Sequence, residues 1–353
     1  MLPYILNKDF QKVDLIDDFV SFIWTKRYNK TGDFELYVPA TAEAFNSLKA
    51  DNYVYREDDD MLCVIEKVEL TTDNENGDYI TATGRSIESI LSRRIIWQQT
   101  NYNGLAENFI YKILNENVIS PKIENRKIAN FFIKDIKNFK EKISIQTTGE
   151  NLLELIEEIC TQFNFGFKLT VSNFKNAKNA FVFELYKGKN HTSGGEKPFV
   201  VFSPSFDNLF TSEYVFDKEP FKNFALVAGE GEGTARKSMG VGEDVSGIER
   251  REIYVDARDI SSNGKDISES EYVSMLLQRG EEKLSKAQFN EAFSGEVETT
   301  KLYKYKKDYN LGDIVEIRNE YGMIATPRIV EIIECEDQNG YTCVPTFEKQ
   351  EVD

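Results

Sequence analysis

With one histidine, two tryptophans and four cysteines in 353 residues, the sequence is short of the side chains that most enzymes and metal sites depend on. A histidine-based triad or zinc site would have to use His191. That residue opens the Gly/Ser/Thr-rich stretch His191–Gly195, which reads as a solvated linker loop. Cys63, Cys160, Cys335 and Cys343 are scattered with no C-x-x-C, so neither a disulfide framework nor a metal knuckle is indicated, and buried thiols are expected. Basic residues are in deficit: 43 Lys and Arg face 60 Asp and Glu, for a net charge of -17. This balance argues against a reader of duplex DNA, which needs a basic face, and against binding to an anionic membrane. No run approaches the ~18 apolar residues of a membrane helix. Met1–Phe10 lacks the basic start and apolar stretch of a secretory signal, so the expectation is a soluble protein made in the cytosol.

Other catalytic signatures are incomplete. Gly229, Gly231 and Gly233 follow a strand-like run, but the third glycine of G-x-G-x-x-G would fall on Thr234 and no GK[ST] is present. Glu230 and Glu232 would repel a phosphate, so the loop reads as a hairpin tip. Asp58–Asp59–Asp60 and the pair Asp256 and Asp259 lack the spacing of a calcium loop. Among sixty carboxylates, any chosen pair means little as a glycosidase signal. The expectation is no catalytic residue, no cofactor and no metal site.

What is present supports sizeable cores: 41% of residues are hydrophobic and 12% aromatic. A chain of this length is expected to split into two to four domains. The organising stretch is Ile80–Trp97, ITATGRSIESILSRRIIW. A short β-branched run ends at Gly84, Ser86 is placed as an N-cap with Glu88 behind it, and Ile87, Ile90, Leu91 and Ile95 fall at helical spacing. Two readings are open: a helix plugging the end of a β-barrel, or an anion site made by Arg85, Arg93 and Arg94. Before it, Ser21–Tyr28 and Phe34–Val38 flank Lys30-Thr31-Gly32-Asp33, a hairpin signal. A short helix over Thr41–Leu48 and strands at Tyr53–Arg56, Met61–Leu70 and Tyr79–Thr83 complete a small barrel or sandwich.

Helical faces follow at Leu105–Val118 and Leu152–Phe163, then strands at Phe165–Ser172 and Ala180–Lys187 around a polar turn at 173–179. Strands resume at Phe199–Phe202, Asn208–Phe216, Phe224–Val227 and Arg251–Ala257. Ser268 and Glu271 form a capping box before a helix in which Gly280 costs about 1 kcal/mol relative to alanine. The tail reads as strands at Thr300–Tyr305, Ile314–Arg318, Met323–Cys335 and Tyr341–Phe347. It echoes the first module: residues 52–83 and 313–346 each read as short strand, turn, long strand, Asn-Gly turn and last strand. The echo is either a duplicated β-module or the likeness of any two three-stranded meanders.

Several stretches resemble one family: GRSIESILSRRIIW, YKGKNHT, FSPSFDNL, FKNFALVAGEGEG, REIYVDARDI, YKKDYNLGDIVEIRNEYG with RIVEI, and VPTF, in this order over most of the chain. The chain resembles the tail-hub proteins of long-tailed bacteriophages and prophages. That resemblance implies a non-enzymatic, β-rich α+β architecture with two tube-type β-barrels plus α+β accessory domains. The implied division is a first barrel at 1–97, an α+β domain at 98–196, a second barrel at 197–240 and 297–353, and an inserted domain at 241–296. Family-signature positions of structural role would be Gly84, Arg85, Arg94, Asp207, Asn208, Gly229, Asp256, Arg258, Asp259, Gly312 and Asp313.

The resemblance further implies a homotrimeric ring with pseudo-six-fold symmetry in the tail tip or baseplate of a virion. Its neighbours would be distal tail-tube proteins, a tape-measure protein and receptor-binding or tip proteins. Genome DNA would pass through without specific binding, there would be no membrane anchor, and assembly would occur in the host cytoplasm. Relatives that continue into a peptidase or muralytic domain do so beyond the length of this chain. The alternative function is a carbohydrate-binding or cell-wall-active tail-tip protein, which calls for exposed stacking aromatics. With a net charge of -17, the lumen of such a ring is expected to be acidic or neutral.

Overall fold

The computed structural model describes residues 1–75, 77–172, 180–211, 213–262, 267–294, 302–322 and 324–348, and for 290–294 the backbone alone. Its spine is an eight-stranded sheet in the order Glu213–Asp217, Asn290–Ser294, Gly340–Glu348, Arg328–Asp337, Ser21–Arg27, Asp33–Pro39, Tyr79–Arg85, Lys67–Thr71. Every neighbouring pair is antiparallel. The sheet joins the two ends of the chain. Ser21–Arg27 pairs with Arg328–Asp337, from Arg27 opposite Glu331 to Ser21 opposite Asp337. The two echoing regions therefore contribute to one sheet, with Ser21–Arg27 and Asp33–Pro39 between them, and each splits alike. Tyr53–Tyr55 pairs with Leu62–Val64, while Lys67–Thr71 pairs with Tyr79–Arg85. Correspondingly, Glu316–Arg318 pairs with Ile324–Ala325, while Arg328–Asp337 pairs with Gly340–Glu348. Gly77 and Gly340, at the two hairpins, both have positive φ, 89° and 108°, which glycine adopts without a Cβ penalty; Asn76 and Met323 lie outside the described residues.

Alternation along the strands puts Phe22, Trp24, Phe34, Leu36, Val38, Ile80 and Ala82 on one face, all buried. They pack with Ile65 and with Ile5, Val54 and Cys63 of a second sheet, which runs Lys12–Leu15, Tyr4–Leu6, Tyr53–Tyr55, Leu62–Val64. Phe202, Tyr309, Val315, Ile317, Ile329, Ile332, Cys343 and Phe347 form the matching core of the second module. Among the described strands neither module closes on itself; each is two sheets face to face, with the large sheet shared.

The helices Ala106–Leu114 and Leu152–Gln162 bury the faces their spacing defines, Phe109, Ile110, Ile113 and Leu114 on one and Leu152, Leu155, Ile156 and Ile159 on the other. With the hairpin Gly166–Ser172 and Ala180–Tyr186 they build the α+β module. The turn expected at 173–179 lies outside the described residues. The expected division places Phe224–Ala228 in the second barrel. It pairs instead with Ser238–Gly242 and Glu252–Asp256. Ala225, Val227, Val241 and Val255 of that sheet cluster with Tyr272, Met275, Leu276 and Leu284 of the helix Glu269–Lys286. Backbone pairing thus carries this strand across the expected boundary at residue 240.

Three local expectations are corrected. Strand Tyr79–Arg85 runs through Gly84, opposite Phe34; a Cβ there would lie 1.8 Å from the Val64 carbonyl oxygen, so the glycine permits a close backbone approach rather than ending the strand. The plug Ile87–Arg93 is a 3-10 helix, and Ser86 makes no side-chain cap; its Oγ accepts the Gly32 N–H at 2.9 Å. Ile87, Ile90 and Leu91 are buried as expected, whereas Ile95 is exposed. Thr300 and Lys301 lie outside the described residues. The rest of the strand expected at Thr300–Tyr305 is limited to a bridge between Tyr305 and Tyr309.

Candidate functional site

The large sheet has a second face, which is not packed on a core. The register places Asp33, Glu35, Glu69, Glu213, Asp217, Glu331 and Asp337 on it, with Arg27, Lys67 and Arg85 as its cations. Glu348 and Arg328 stand opposite each other on the ladder and balance. Each of the three cations is already engaged. Arg27 pairs with Asp33 and, at 2.6 Å, with Glu331; Lys67 pairs with Glu69 at 2.5 Å; Arg85 forks onto Glu66 at 2.8 and 2.9 Å. The field left over is negative. Such a surface repels polyanions and offers a nucleic acid no basic track.

Behind this face, the three larger modules meet around Tyr28. Its ring is fully buried, and its hydroxyl donates to the Asn164 carbonyl at 2.9 Å. The guanidinium of Arg328 lies 5.1 Å from the ring centroid. Two glycines touch the ring. A Cβ on Gly166 would sit 2.3 Å, and one on Gly312 2.4 Å, from Tyr28 Cε2. A third, Gly188, faces the Gly312 carbonyl so closely that a Cβ would lie 1.8 Å from its oxygen. Asp313 follows at once. Its carboxylate accepts the Lys189 N–H and the Asn310 N–H, each at 2.7 Å, and lies 3.3 Å from His191 Nε2. His191 Nδ1 is 2.9 Å from the Pro198 carbonyl oxygen. Far from being a solvated loop residue, His191 is 5% exposed, because the stretch read as a linker hydrogen-bonds through its backbone to Ile314.

A second seam joins the two β-modules. Arg56, 1% exposed, forks onto Asp58 at 2.6 and 3.0 Å and donates to Glu334 at 3.2 Å across 278 residues of sequence. Tyr341 donates to the same Glu334 oxygen at 2.9 Å. Asp59 accepts from Lys26 at 2.5 Å and from Lys306 at 2.6 Å. Burial by itself would raise the Asp59 pKa, but the two ammonium groups outweigh it and hold the carboxyl well below its usual range. A cleft of about 680 Å³ opens beside this seam, lined by Lys26, Asp59, Lys168, Tyr186 and Lys306 among others.

The family-signature positions do not converge on one site. Gly312 and Asp313 belong to the Tyr28 seam. Gly84 lets two backbones cross, and Arg85 and Arg94 go to different partners, Glu66 and the Arg126 carbonyl. Together with Arg93, which reaches Asp51 at 3.5 Å, they make no common anion site. Asp207, at φ 51°, ends the 3-10 turn Pro204–Phe206. The buried Asn208 side chain accepts the Ser203 N–H and donates to the Val201 carbonyl, both at 2.9 Å. Gly229 lies under the Tyr272 hydroxyl, where a Cβ would come within 2.2 Å. Asp256 takes Arg236 and Arg258, which hold its carboxyl down at about 2, the Arg258 hydrogen bond most of all; Asp259 takes Arg279.

Sequence reading missed Tyr28, Gly166, Gly188, Arg56 and Glu334, and weighed Asp59 only as part of a calcium loop. None of these residues carries a local sign of the partner it meets in a distant part of the chain, such as Glu334 for Arg56, 278 positions away. Cys63, Cys160 and Cys343 are buried as expected, with Cys335 partly so. No described helix is long and apolar enough to cross a membrane.

The fold recurs in phage proteins. A prophage tail protein gp18 from Listeria monocytogenes is 15% identical, with a TM-score of 0.54, and 100% of this chain covers 95% of that one. A tail protein from Neisseria meningitidis is 12% identical with a TM-score of 0.59, over 99% of this chain and 96% of that one. The 43 kDa tail protein of prophage MuSo2 from Shewanella oneidensis is 14% identical with a TM-score of 0.59, over 98% of both chains. No curated protein matches the chain. The β-rich, multidomain tail-protein architecture expected from the sequence is therefore the fold of this chain. The family model of the siphovirus ReqiPepy6 Gp37-like proteins matches residues 2–347, and the chain belongs to that family.

Proposed function

We propose that this siphovirus tail-family protein is the hub at the distal end of a phage tail. Three copies form a ring whose six β-modules, two per chain, match a six-fold tail tube above and present three-fold symmetry below. The observation that carries this reading is the shared sheet. Pairing of Ser21–Arg27 with Arg328–Asp337 sets the two modules of one chain side by side with a single continuous open face. A ring of six modules made from three chains requires that arrangement.

In the ring, the open face lines the channel. Duplex DNA carries about one charge per 1.7 Å of axis, so a wall rich in lysine or arginine would hold it, while the carboxylate excess on this face keeps it moving. The protein acts as architecture and without catalysis or cofactor. It is assembled in the host cytoplasm and resides in the virion. The upper rim meets the tail-tube and tape-measure proteins, and the lower rim the receptor-binding or tip proteins. The family-signature residues serve as seam and turn positions. The division follows the expected one, with the inserted domain beginning at Phe224 so as to keep its sheet whole.

Image reconstruction of purified tails tests the proposal: three copies around the axis, with Glu35 and Asp337 facing the lumen, are expected. A peripheral location, or an open face turned outward, overturns it. The alternative of a carbohydrate-binding or cell-wall-active tip protein is less well supported. Trp24 is fully buried and the exposed Trp97 ring has the Arg126 guanidinium 4.8 Å from its centroid, so neither offers a free stacking platform.

A further inference from the structure

Trp97 is the exposed one of the two tryptophans, 53% open to solvent. Ile95 and Ile123 beside it are 42% and 39% exposed. Arg126 ties the three into one patch. Its guanidinium lies 4.8 Å from the Trp97 ring centroid, its backbone N–H donates to the Ile123 carbonyl at 3.0 Å, and its Nη2 donates to the Ile95 carbonyl at 2.8 Å. The patch is fixed from beneath. The buried Asn117 Oδ1 accepts from both terminal nitrogens of Arg126 at 3.3 Å and from the Trp97 N–H at 3.2 Å. Asn117 is itself held by donating to the Ile113 carbonyl at 2.9 Å. Arg94 completes the patch, its Nε donating to the Arg126 carbonyl at 2.9 Å. Side chains fixed before binding lose little entropy on binding.

Charge and size together select the occupant. Arg27, Arg56, Arg85, Arg236, Arg258 and Arg279 each meet a carboxylate at 2.8 Å or less. Arg94 and Arg126 meet none among the described residues; their hydrogen bonds all end on carbonyl oxygens. Burial, and then the charge of Arg94, pull the Arg126 pKa down, the mark of like charges close together without an anion between them. In a chain of net charge -17, such a pair calls for carboxylates from outside. The patch consists of Arg94, Ile95, Trp97, Ile123 and Arg126, well short of the ~20–30 residues a side in a stable protein interface. A second copy of this chain would also bring its own negative surplus against the surrounding acidic surface. A short segment brings only its own carboxylates. Guanidinium forks suit them, and tryptophan and arginine are the side chains that most often dominate binding energy. A sugar would compete with Arg126 for the Trp97 ring.

We propose that this patch docks a short acidic segment of another tail protein. Its aspartate or glutamate side chains sit on Arg94 and Arg126, and an aliphatic or aromatic side chain sits among Ile95, Trp97 and Ile123. The docking site stands apart from the ring proposed above and needs neither its symmetry nor its lumen.

The test replaces Ile123 with the photo-reactive p-benzoylphenylalanine in tails of the phage that encodes the chain, and identifies the cross-linked peptide by mass spectrometry. The expected adduct is a single segment of a different tail protein, rich in aspartate and glutamate. A fluorescein-labelled synthetic copy of that segment is then titrated against the purified full chain by fluorescence anisotropy. Arg94→Gln and Trp97→Ala are each expected to weaken binding about tenfold. Trp97→Ala changes only an exposed side chain, so it keeps the test decisive if Arg94→Gln fails to fold. Arg251→Gln, at an arginine that likewise donates to a carbonyl, is expected to leave binding unchanged. An adduct with a second copy of this chain, an adduct with a neutral or basic segment, or no protein adduct in intact tails overturns the proposal. So does a peptide affinity that Trp97→Ala leaves unchanged, or a glycerol-phosphate polymer that binds the patch in preference to the peptide.

Discussion

Replacing Gly312 with alanine probes the point where the modules lock. Gly312 has φ 92°, and an added Cβ would lie 2.4 and 2.6 Å from two ring carbons of the buried Tyr28. Gly322 is a matched control: its φ is 83°, and a Cβ there would find nothing within 4 Å. Both substitutions force a non-glycine residue into positive φ, at a cost of about 1–3 kcal/mol. Only Gly312→Ala adds overpacking, about 1–3 kcal/mol more, because Tyr28 is wedged between Gly166 and Gly312 and held by its hydroxyl to Asn164. With roughly 2–4 °C lost per kcal/mol for a unit of 150–250 residues, Gly312→Ala should melt about 2–12 °C below Gly322→Ala. Thermal unfolding followed by circular dichroism measures the gap. If the two variants melt within about 1 °C of each other, the ring swings aside freely and the seam is not the rigid lock described.

Three further outcomes are expected. Gly280→Ala, favourable by helix propensity at about 1 kcal/mol, should instead destabilise. The new Cβ would meet Val241 and Val227 methyls at 2.7 and 2.9 Å, and a rise in melting temperature would show that helix and sheet separate easily. Asp59→Asn should cost about 3–5 kcal/mol at neutral pH by stranding the buried Lys26 ammonium. Because the folded-state pKa of Asp59 is depressed, the wild-type advantage is present above about pH 4 and is lost as pH falls below it; a variant as stable as wild type at pH 7 would contradict this. Glu282 has its carboxyl pushed up to about 7 by burial, against the opposing pull of Arg279 and beside Glu158 and Lys286. The folded state therefore keeps a proton that the unfolded chain has lost, and stability falls as pH rises from about 4.5 to about 7, at up to about 1.4 kcal/mol per unit. Glu282→Gln should flatten that slope in melts at pH 5 and pH 7, and an unchanged slope would remove Glu282 as its source.

Local signals were readable where the physics is local. The hairpin around Thr31 and Gly32, the capping box of Ser268 with Glu271, the two amphipathic helices and the burial of Ile87, Ile90 and Leu91 all follow from spacing and turn chemistry, and the structure places them so. Gly84 and Gly280 were visible as glycines, but their reason was not. A strand break and a weak helix turn are the local explanations, whereas the observed cause in each case is a neighbour's atoms where a Cβ would stand.

His191 was misjudged for the same reason: a Gly/Ser/Thr-rich stretch looks solvated until Asp313, over a hundred residues later, closes on it. The sequence by itself determined the tail-family membership, the duplicated strand pattern and the acidic balance, because each is written in order, period and composition. Only the tertiary structure decided that the two β-modules share one sheet, that carboxylates gather on its open face and that Tyr28 is gripped by glycines from two other modules. Register between distant strands is set by burying one face of each, and no stretch of sequence contains the face it will be buried against.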